Sequence, residues 1–304
     1  MARTVPESRQ RGVALITALV VVAIAAGLAV AIAWQTTLDT RRTENLVQGD
    51  QAMEYALGAE AWAEEILARD GRKYQNVTAL GQDWAQQLPP LPVQGGQIQG
   101  KIEDLQGRFN INNLTTAQGI TQFKNLLVAL GQDPTLAASV QQWFTGAPGG
   151  VTDATDDYYS RLQPPYLTGS APMQSVSELL LVKGITPAVY AQISPYLCAL
   201  PIGAATTVNI NTASGPVLES LNTNITADVA SQIIGGRGTS GFKDLSVLGS
   251  MNPPIQAAGA GTTSSYFLVT VVAQIGSTHV TLYSLLYRNG SNEVTAVRRT
   301  FGTL

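Results

Sequence analysis

Three aspartates, Asp153, Asp156 and Asp157, stand close together on a stretch that opens with Gly149-Gly150 and runs into Tyr158-Tyr159. Clustered carboxylates on a glycine-rich loop offer the hard oxygen ligands that calcium prefers, and left unpaired they repel one another. A solvated turn, in which the aspartates hydrogen-bond their own backbone, fits the same residues. Cys198 is the only cysteine, which excludes an intrachain disulfide or a cysteine metal cluster. It lies in the apolar run Tyr196-Leu197-Cys198-Ala199-Leu200 and reads as a small buried hydrophobe. His279, the only histidine, falls in an alternating strand pattern. No Gly-x-Ser-x-Gly, phosphate loop or histidine beside a nucleophile is present, so nothing in the sequence calls for catalysis. A formal charge of -3 with 45% hydrophobic residues describes a globular body without the basic excess that nucleic-acid binding requires.

The element that must carry all of this begins near the N terminus. From Gly12 to Leu38 there is no charged side chain, and Val13 to Ala33 is almost wholly aliphatic or alanine. As a helix rising about 1.5 Å per residue, that stretch reaches roughly the 30 Å of a bilayer's hydrocarbon core. Arg3, Arg9 and Arg11 precede it and favour a cytoplasmic N terminus, against Arg41 and Arg42 after it. The competing reading is a cleaved signal peptide ending at Ala31-Ile32-Ala33. Two features oppose it: the apolar run outlasts a signal core, and helical periodicity continues without a break. Ala52, Tyr55, Ala56, Ala59, Trp62, Ala63 and Ile66 form one apolar face, with Gly71 expected to cap its end.

Beyond Gly71, Leu88-Pro89-Pro90-Leu91-Pro92 and Gly95-Gly96 read as a connector, and Ile98 to Asp104 alternates as a strand. Helical segments follow: Ile120, Phe123, Leu126, Leu127 and Leu130 form a face ended by Gly131, with others over Pro134–Phe144, Ser175–Val182 and Pro187–Leu197. Strand patterns return at Tyr266–Ile275, His279–Arg288 and Glu293–Arg299, with Arg288-Asn289-Gly290-Ser291 as a hairpin turn. The expected fold class is α+β, with a long N-terminal helix packed on an antiparallel sheet and a large all-α domain inserted between strands. Asn110-Ile111-Asn112 and Asn209-Ile210-Asn211 form a weak internal repeat, each before a threonine-rich helix start that suits capping.

The basic leader, Gly12, then Val13-Ala14-Leu15-Ile16-Thr17 and the long apolar helix resemble the class III signal of type IV pilins and type II secretion pseudopilins. That resemblance implies cleavage by prepilin peptidase between Gly12 and Val13 and methylation of the new N terminus. Most of that family carry glutamate where this chain has Thr17. With that exception, Arg41-Arg42-Thr43-Glu44-Asn45, Tyr55-Ala56-Leu57-Gly58-Ala59-Glu60, Gly107-Arg108-Phe109-Asn110-Ile111-Asn112, Ser177-Glu178-Leu179, Ala199-Leu200-Pro201 and Val208-Asn209-Ile210-Asn211-Thr212-Ala213-Ser214 resemble the K-type minor pseudopilins.

The resemblance implies a leader over 1-12, a transmembrane segment over 13-34, a pilin-like domain in two parts, 35-108 and 261-304, and an inserted helical domain over 109-260. It implies a subunit at the tip of the type II secretion pseudopilus, in a bacterial inner membrane with its C-terminal domain periplasmic. I- and J-type minor pseudopilins and other pseudopilins are the implied partners, with the secretin and secreted substrates beyond them. Thr17 is the implied tip-specifying residue, since its position holds no carboxylate to neutralise a neighbour's N-terminal ammonium. The acidic loop before Pro164-Pro165-Tyr166 is associated with calcium in that family, although Phe144-Thr145-Gly146 here replaces acidic residues after Trp143. Two other assignments fit less: a type IV pilus minor pilin, and a membrane-tethered DNA-uptake protein. The second is suggested by a helix-hairpin-helix-like unit over Asn209–Met251, but Asn222-Thr223-Asn224-Ile225 replaces its glycine hairpin. No nucleic-acid partner is expected.

Overall fold

The structure is a computed structural model that describes residues 11–87, 89–145, 158–201, 206–251 and 253–302. Its first element, α1, is a single helix over Arg11–Lys73. It contains no proline, and the hydroxyls of Thr17, Thr36, Thr37, Thr40 and Thr43 donate to carbonyls one turn back, so no polar group interrupts it. Its large apolar side chains from Val13 to Trp34 are exposed, whereas Ala52, Ala56, Ala63 and Leu67 are buried against a sheet. Alanine at most of these contact positions lets the helix axis approach the strands closely.

The helix does not end at Gly71 as the sequence suggests. It runs on to Lys73, and a Cβ at position 71 would lie 2.2 Å from the Asn292 side-chain oxygen. The last hairpin closes on the helix there, and a larger residue would have to displace the Asn292 and Arg288 side chains.

The sheet is antiparallel throughout, in the order β1(Leu91–Val93)-β2(Gly96–Asp104)-β7(Tyr266–Ile275)-β8(Thr278–Arg288)-β9(Val294–Phe301). Neighbours β2 and β7 are far apart in sequence, and the helical domain occupies the interval. Phe267, Val269, Val271, Ala273 and Ile275 point to α1, as period-two alternation requires. On the opposite face Leu268 and Leu285 pack with Leu105, Cys198 and Leu200, which tie the helical domain to the back of the sheet.

Three local expectations change. The connector contains β1 and a 3-10 turn, Asp83–Ala85, whose Trp84 is buried edge-on against Phe267. Ser175–Val182 is not an α-helix but a 3-10 turn over Val176–Leu181. The last hairpin turns through Asn289 to Glu293, where the Asn289 side-chain oxygen accepts from the Ser291 and Glu293 amides and positive φ falls at Asn292 rather than Gly290. A side-chain-organised loop has replaced the tight Asn-Gly turn.

The helical domain contains two similar half-units. β3(Phe109–Asn110) pairs parallel with β4(Leu197–Cys198), and β5(Val208–Asn209) pairs parallel with β6(Ala260–Gly261). Between these lie α2(Ala117–Ala129), α3(Leu136–Thr145) and α4(Pro187–Ile193) in the first half, and α5(Gly215–Leu221) and α6(Ala227–Arg237) in the second. Thr116, Thr186 and Thr226 cap their helices by accepting from the amides of Gly119, Val189 and Val229. Gly131 closes α2 at φ 68°, with the Gln132 amide donating to the Leu127 carbonyl at 2.7 Å.

Candidate functional site

The anchor comes first. Among the described residues, one helix is long and apolar enough to cross a membrane, and its apolar window is wholly unburied. Gly12 lies in the first turn of α1 and Val13 follows with an exposed side chain. The Thr17 hydroxyl donates to the Val13 and Ala14 carbonyls at 3.1 and 3.0 Å. That bond satisfies its proton inside the helix, so Thr17 is compatible with hydrocarbon yet presents no charge to a neighbour.

Where α1 enters the head, an unforeseen buried charge fixes its rotation. Glu60 is buried on the helix face that carries Ala56 and Ala63. Arg299 of β9 binds it through both nitrogens, Nε at 2.9 and 3.0 Å and Nη2 at 2.7 Å, and the Ser284 hydroxyl of β8 donates to the same carboxylate. A glutamate on an otherwise apolar helix face was the available signal, since a buried charge needs a partner.

A second polar cluster joins the sheet, the end of α1 and the helical domain. Asp104, the last residue of β2, accepts from the Gln106 amide at 2.8 Å, Asn209 Nδ2 at 2.9 Å, Ser264 Oγ at 2.7 Å and Thr212 Oγ1 at 2.6 Å. Burial nevertheless raises its carboxyl above the ordinary range, against the lowering effect of those donors. Nearby, Arg288 donates to the Leu67 and Ser264 carbonyls and to Thr78 Oγ1. Asp70, on the last turns of α1, has a buried Oδ2 with no hydrogen-bond partner. Desolvation, then repulsion from Asp83, pushes its carboxyl up, opposed by Arg288 and Lys73.

The internal repeat acquires a structural role. Asn112 Nδ2 donates to the Met173 and Leu200 carbonyls while its oxygen accepts from the Met173 amide. Asn211 does the same with the Phe242 and Thr262 carbonyls and the Phe242 amide. Each asparagine clips a distant turn onto its parallel strand pair. In the helix-hairpin-helix-like unit, Arg237 donates to the Ile210 and Ala213 carbonyls at 2.8 and 2.6 Å, so its guanidinium is engaged within the fold.

The candidate calcium ligands Asp153, Asp156 and Asp157 lie outside the described residues. The described chain on either side is held by aromatic packing: Trp143 meets Tyr159 at 5.5 Å, and Tyr159 meets Tyr166 at 5.4 Å. Among the described residues no group of three or more acidic, histidine or cysteine side chains could hold a metal. Cys198 is buried, donates to the Leu105 carbonyl at 3.3 Å, and is pushed far above the ordinary thiol range by burial. His279 is exposed on β8, roughly 20 Å along the strand from the Leu285 that packs beside Cys198. The two are not brought together.

Comparison with known proteins gives a consistent result. Family models described as "Type II secretion system (T2SS), protein K" match residues 107–202 and 208–269, which correspond to the two half-units of the helical domain. The chain is 32% identical to the type II secretion system protein K of Aeromonas hydrophila, over 97% of this chain and 98% of that one. It is 33% identical to the protein of the same name from Pectobacterium carotovorum subsp. carotovorum, over 97% of each. A crystal structure of a GspK-GspI-GspJ complex from the enterotoxigenic Escherichia coli type 2 secretion system contains a chain of the same fold. The TM-score is 0.74 at 23% identity, with 86% of this chain and 100% of that chain covered.

Proposed function

The chain belongs to the type II secretion system protein K family, and on that premise we propose that it is a minor pseudopilin capping the tip of the secretion pseudopilus. The observation that carries this reading is α1: one 63-residue helix that is bare and apolar over its first part and buried in a sheet-and-helix head over its last. Such an element anchors a head to a membrane and leaves its own upper surface for neighbours. The N terminus is cytoplasmic, the span lies in the inner membrane, the head is periplasmic, and the head associates with I- and J-type pseudopilins. Prepilin peptidase cuts between Gly12 and Val13. The loop with Asp153, Asp156 and Asp157 takes up calcium.

The tip position follows from charge. A subunit added behind another would have to neutralise the N-terminal ammonium ahead of it, and an unpaired charge in an apolar helix bundle costs several kcal/mol. Thr17 supplies no carboxylate, and a leading subunit needs none. Co-purification of the full chain with I- and J-type pseudopilins tests the assignment, and failure to associate with either would overturn it. Thr17→Ala should preserve secretion, whereas a Gly12 substitution that blocks processing should abolish it. Labelling should find the protein at one fibre end, and regular labelling along the fibre would refute the tip position.

A further inference from the structure

A groove of about 390 Å³ runs between α1 and the β1–β2 side of the sheet. Tyr55 and Trp62 of α1 form one wall, Ile98 and Gly100 of β2 the other, and Trp84 lies among the lining residues. Its volume is that of a ligand or anchor pocket. Two large apolar side chains remain half exposed beside it, Trp62 at 48% and Leu91 at 50%.

Two glycines keep it open. Gly58 sits in the interior of α1, where a Cβ would meet nothing within 4 Å. Gly100 sits in the interior of β2, where a Cβ would make ordinary contact, 3.6 Å from the Thr270 carbonyl and 3.9 Å from Val271. Neither has the positive φ that favours glycine. Glycine weakens both helix and strand interiors. Nothing inside the chain requires it at either position, and larger side chains there would bury more apolar surface. What the two residues share is that they leave the same groove unfilled.

The rim carries a charge preference. Of its charged lining residues, Asp83 is met by Lys73 at 3.9 Å and Lys101 by Glu103 at 2.9 Å, which leaves the Glu54 carboxylate as the lining charge with no ion pair among the described residues. Among the described residues, the buried side-chain atoms left without a hydrogen bond are Asp70 Oδ2 and Trp143 Nε1, and neither belongs to a residue lining the groove, so none of them is aimed into it to orient a small polar ligand. An apolar floor with aromatic walls and the unpaired Glu54 carboxylate at its rim matches a protein anchor residue bordered by a cation. We propose that this groove seats a bulky apolar side chain, flanked by lysine or arginine, from a partner pseudopilin in the tip assembly. The inference rests on the assembly role stated above and supplies its contact site.

The test compares full-length wild type with Gly58→Leu/Gly100→Val, which fills the groove, with Glu54→Lys, and with Gly235→Leu, an exposed helix glycine in the helical domain with open space around it. Each is co-expressed with I- and J-type pseudopilins, and capture is measured alongside the melting temperature. The filled variant should melt no lower than wild type yet lose partner capture at least about tenfold; Glu54→Lys should weaken capture, and Gly235→Leu should not. Undiminished capture by the filled variant overturns the groove assignment, whether the space is then idle or holds a small apolar ligand. If the filled variant is unstable, Glu54→Lys decides, since capture unchanged by that reversal also overturns it. Failure of wild type to capture either partner instead overturns the assembly role, and the groove assignment with it.

Discussion

Glu60 and Arg299 differ in what each leaves behind when the other is removed. Glu60 is buried with its side chain 4% exposed, whereas Arg299 is 48% exposed. Removing the arginine strands a carboxylate away from water; removing the carboxylate leaves a guanidinium that reaches solvent. Arg299→Ala should therefore destabilise the head by about 2–4 kcal/mol, near the range for broken buried pairs, and Glu60→Gln by distinctly less, as read from denaturant unfolding. Equal costs would show that the pair behaves as a surface bridge. Asp70 makes a pH-dependent contribution. Its carboxyl is raised in the folded state, so folding favours its protonated form. Its burden is fully present at pH above the raised value and disappears as pH falls to the ordinary carboxylate range. Asp70→Asn should therefore be more stable than wild type at pH 7, with the gap closing toward pH 4. A gap independent of pH would assign the effect to packing alone.

At the scale of elements, the sheet is pinned at β2. Gly96 begins that strand opposite Ile275, and a Cβ there would lie 1.8 Å from the Gln274 carbonyl oxygen. Backbone cannot yield as a flexible side chain would. Gly96→Ala should therefore force the β1–β2 hairpin away from β7 and cost about 1–3 kcal/mol, the usual range for overpacking. Because Trp84 lines one groove with Leu91 and Val93 of β1, displacing the hairpin should shift its fluorescence toward that of a wetter tryptophan. An unchanged unfolding midpoint would show that the register tolerates a slip there. The same elements explain where local reading of the chain missed. Gly71 carries a cap signal, yet the β8–β9 loop closes on it from outside the helix; Gly290 carries a turn signal, yet the Asn289 side chain organises that loop.

At the scale of the molecule, the described head holds three apolar clusters: one inside the helical domain, and two that lie on opposite faces of the sheet. α1 covers one face, and the helical domain reaches the other through Leu105, Cys198 and Leu200. A ligand held only by the folded helical domain stabilises it by mass action, by about 2.7 kcal/mol at a hundredfold excess over its dissociation constant. If the acidic loop takes up calcium, the melting temperature of the full chain should rise with added calcium and fall on chelation. Asp156→Ala with Asp157→Ala should lose that response. A melting curve indifferent to calcium would leave the solvated turn as the account of these aspartates.

The sequence alone determined the membrane-length apolar helix, its continuation into a head, the α+β class and the interrupted antiparallel sheet. Each of these is written in a local period: uninterrupted apolar residues, spacings of three and four, or alternation over Tyr266–Ile275. It also carried the family, because motifs such as Asn209-Ile210-Asn211 survive as short words. The tertiary structure alone decided what Glu60 and Asp104 meet. Their partners lie up to hundreds of positions away: Arg299 for Glu60, and Asn209 and Ser264 for Asp104. A carboxylate's neighbours and a glycine's empty space arise only when distant segments meet, and no local period records that meeting.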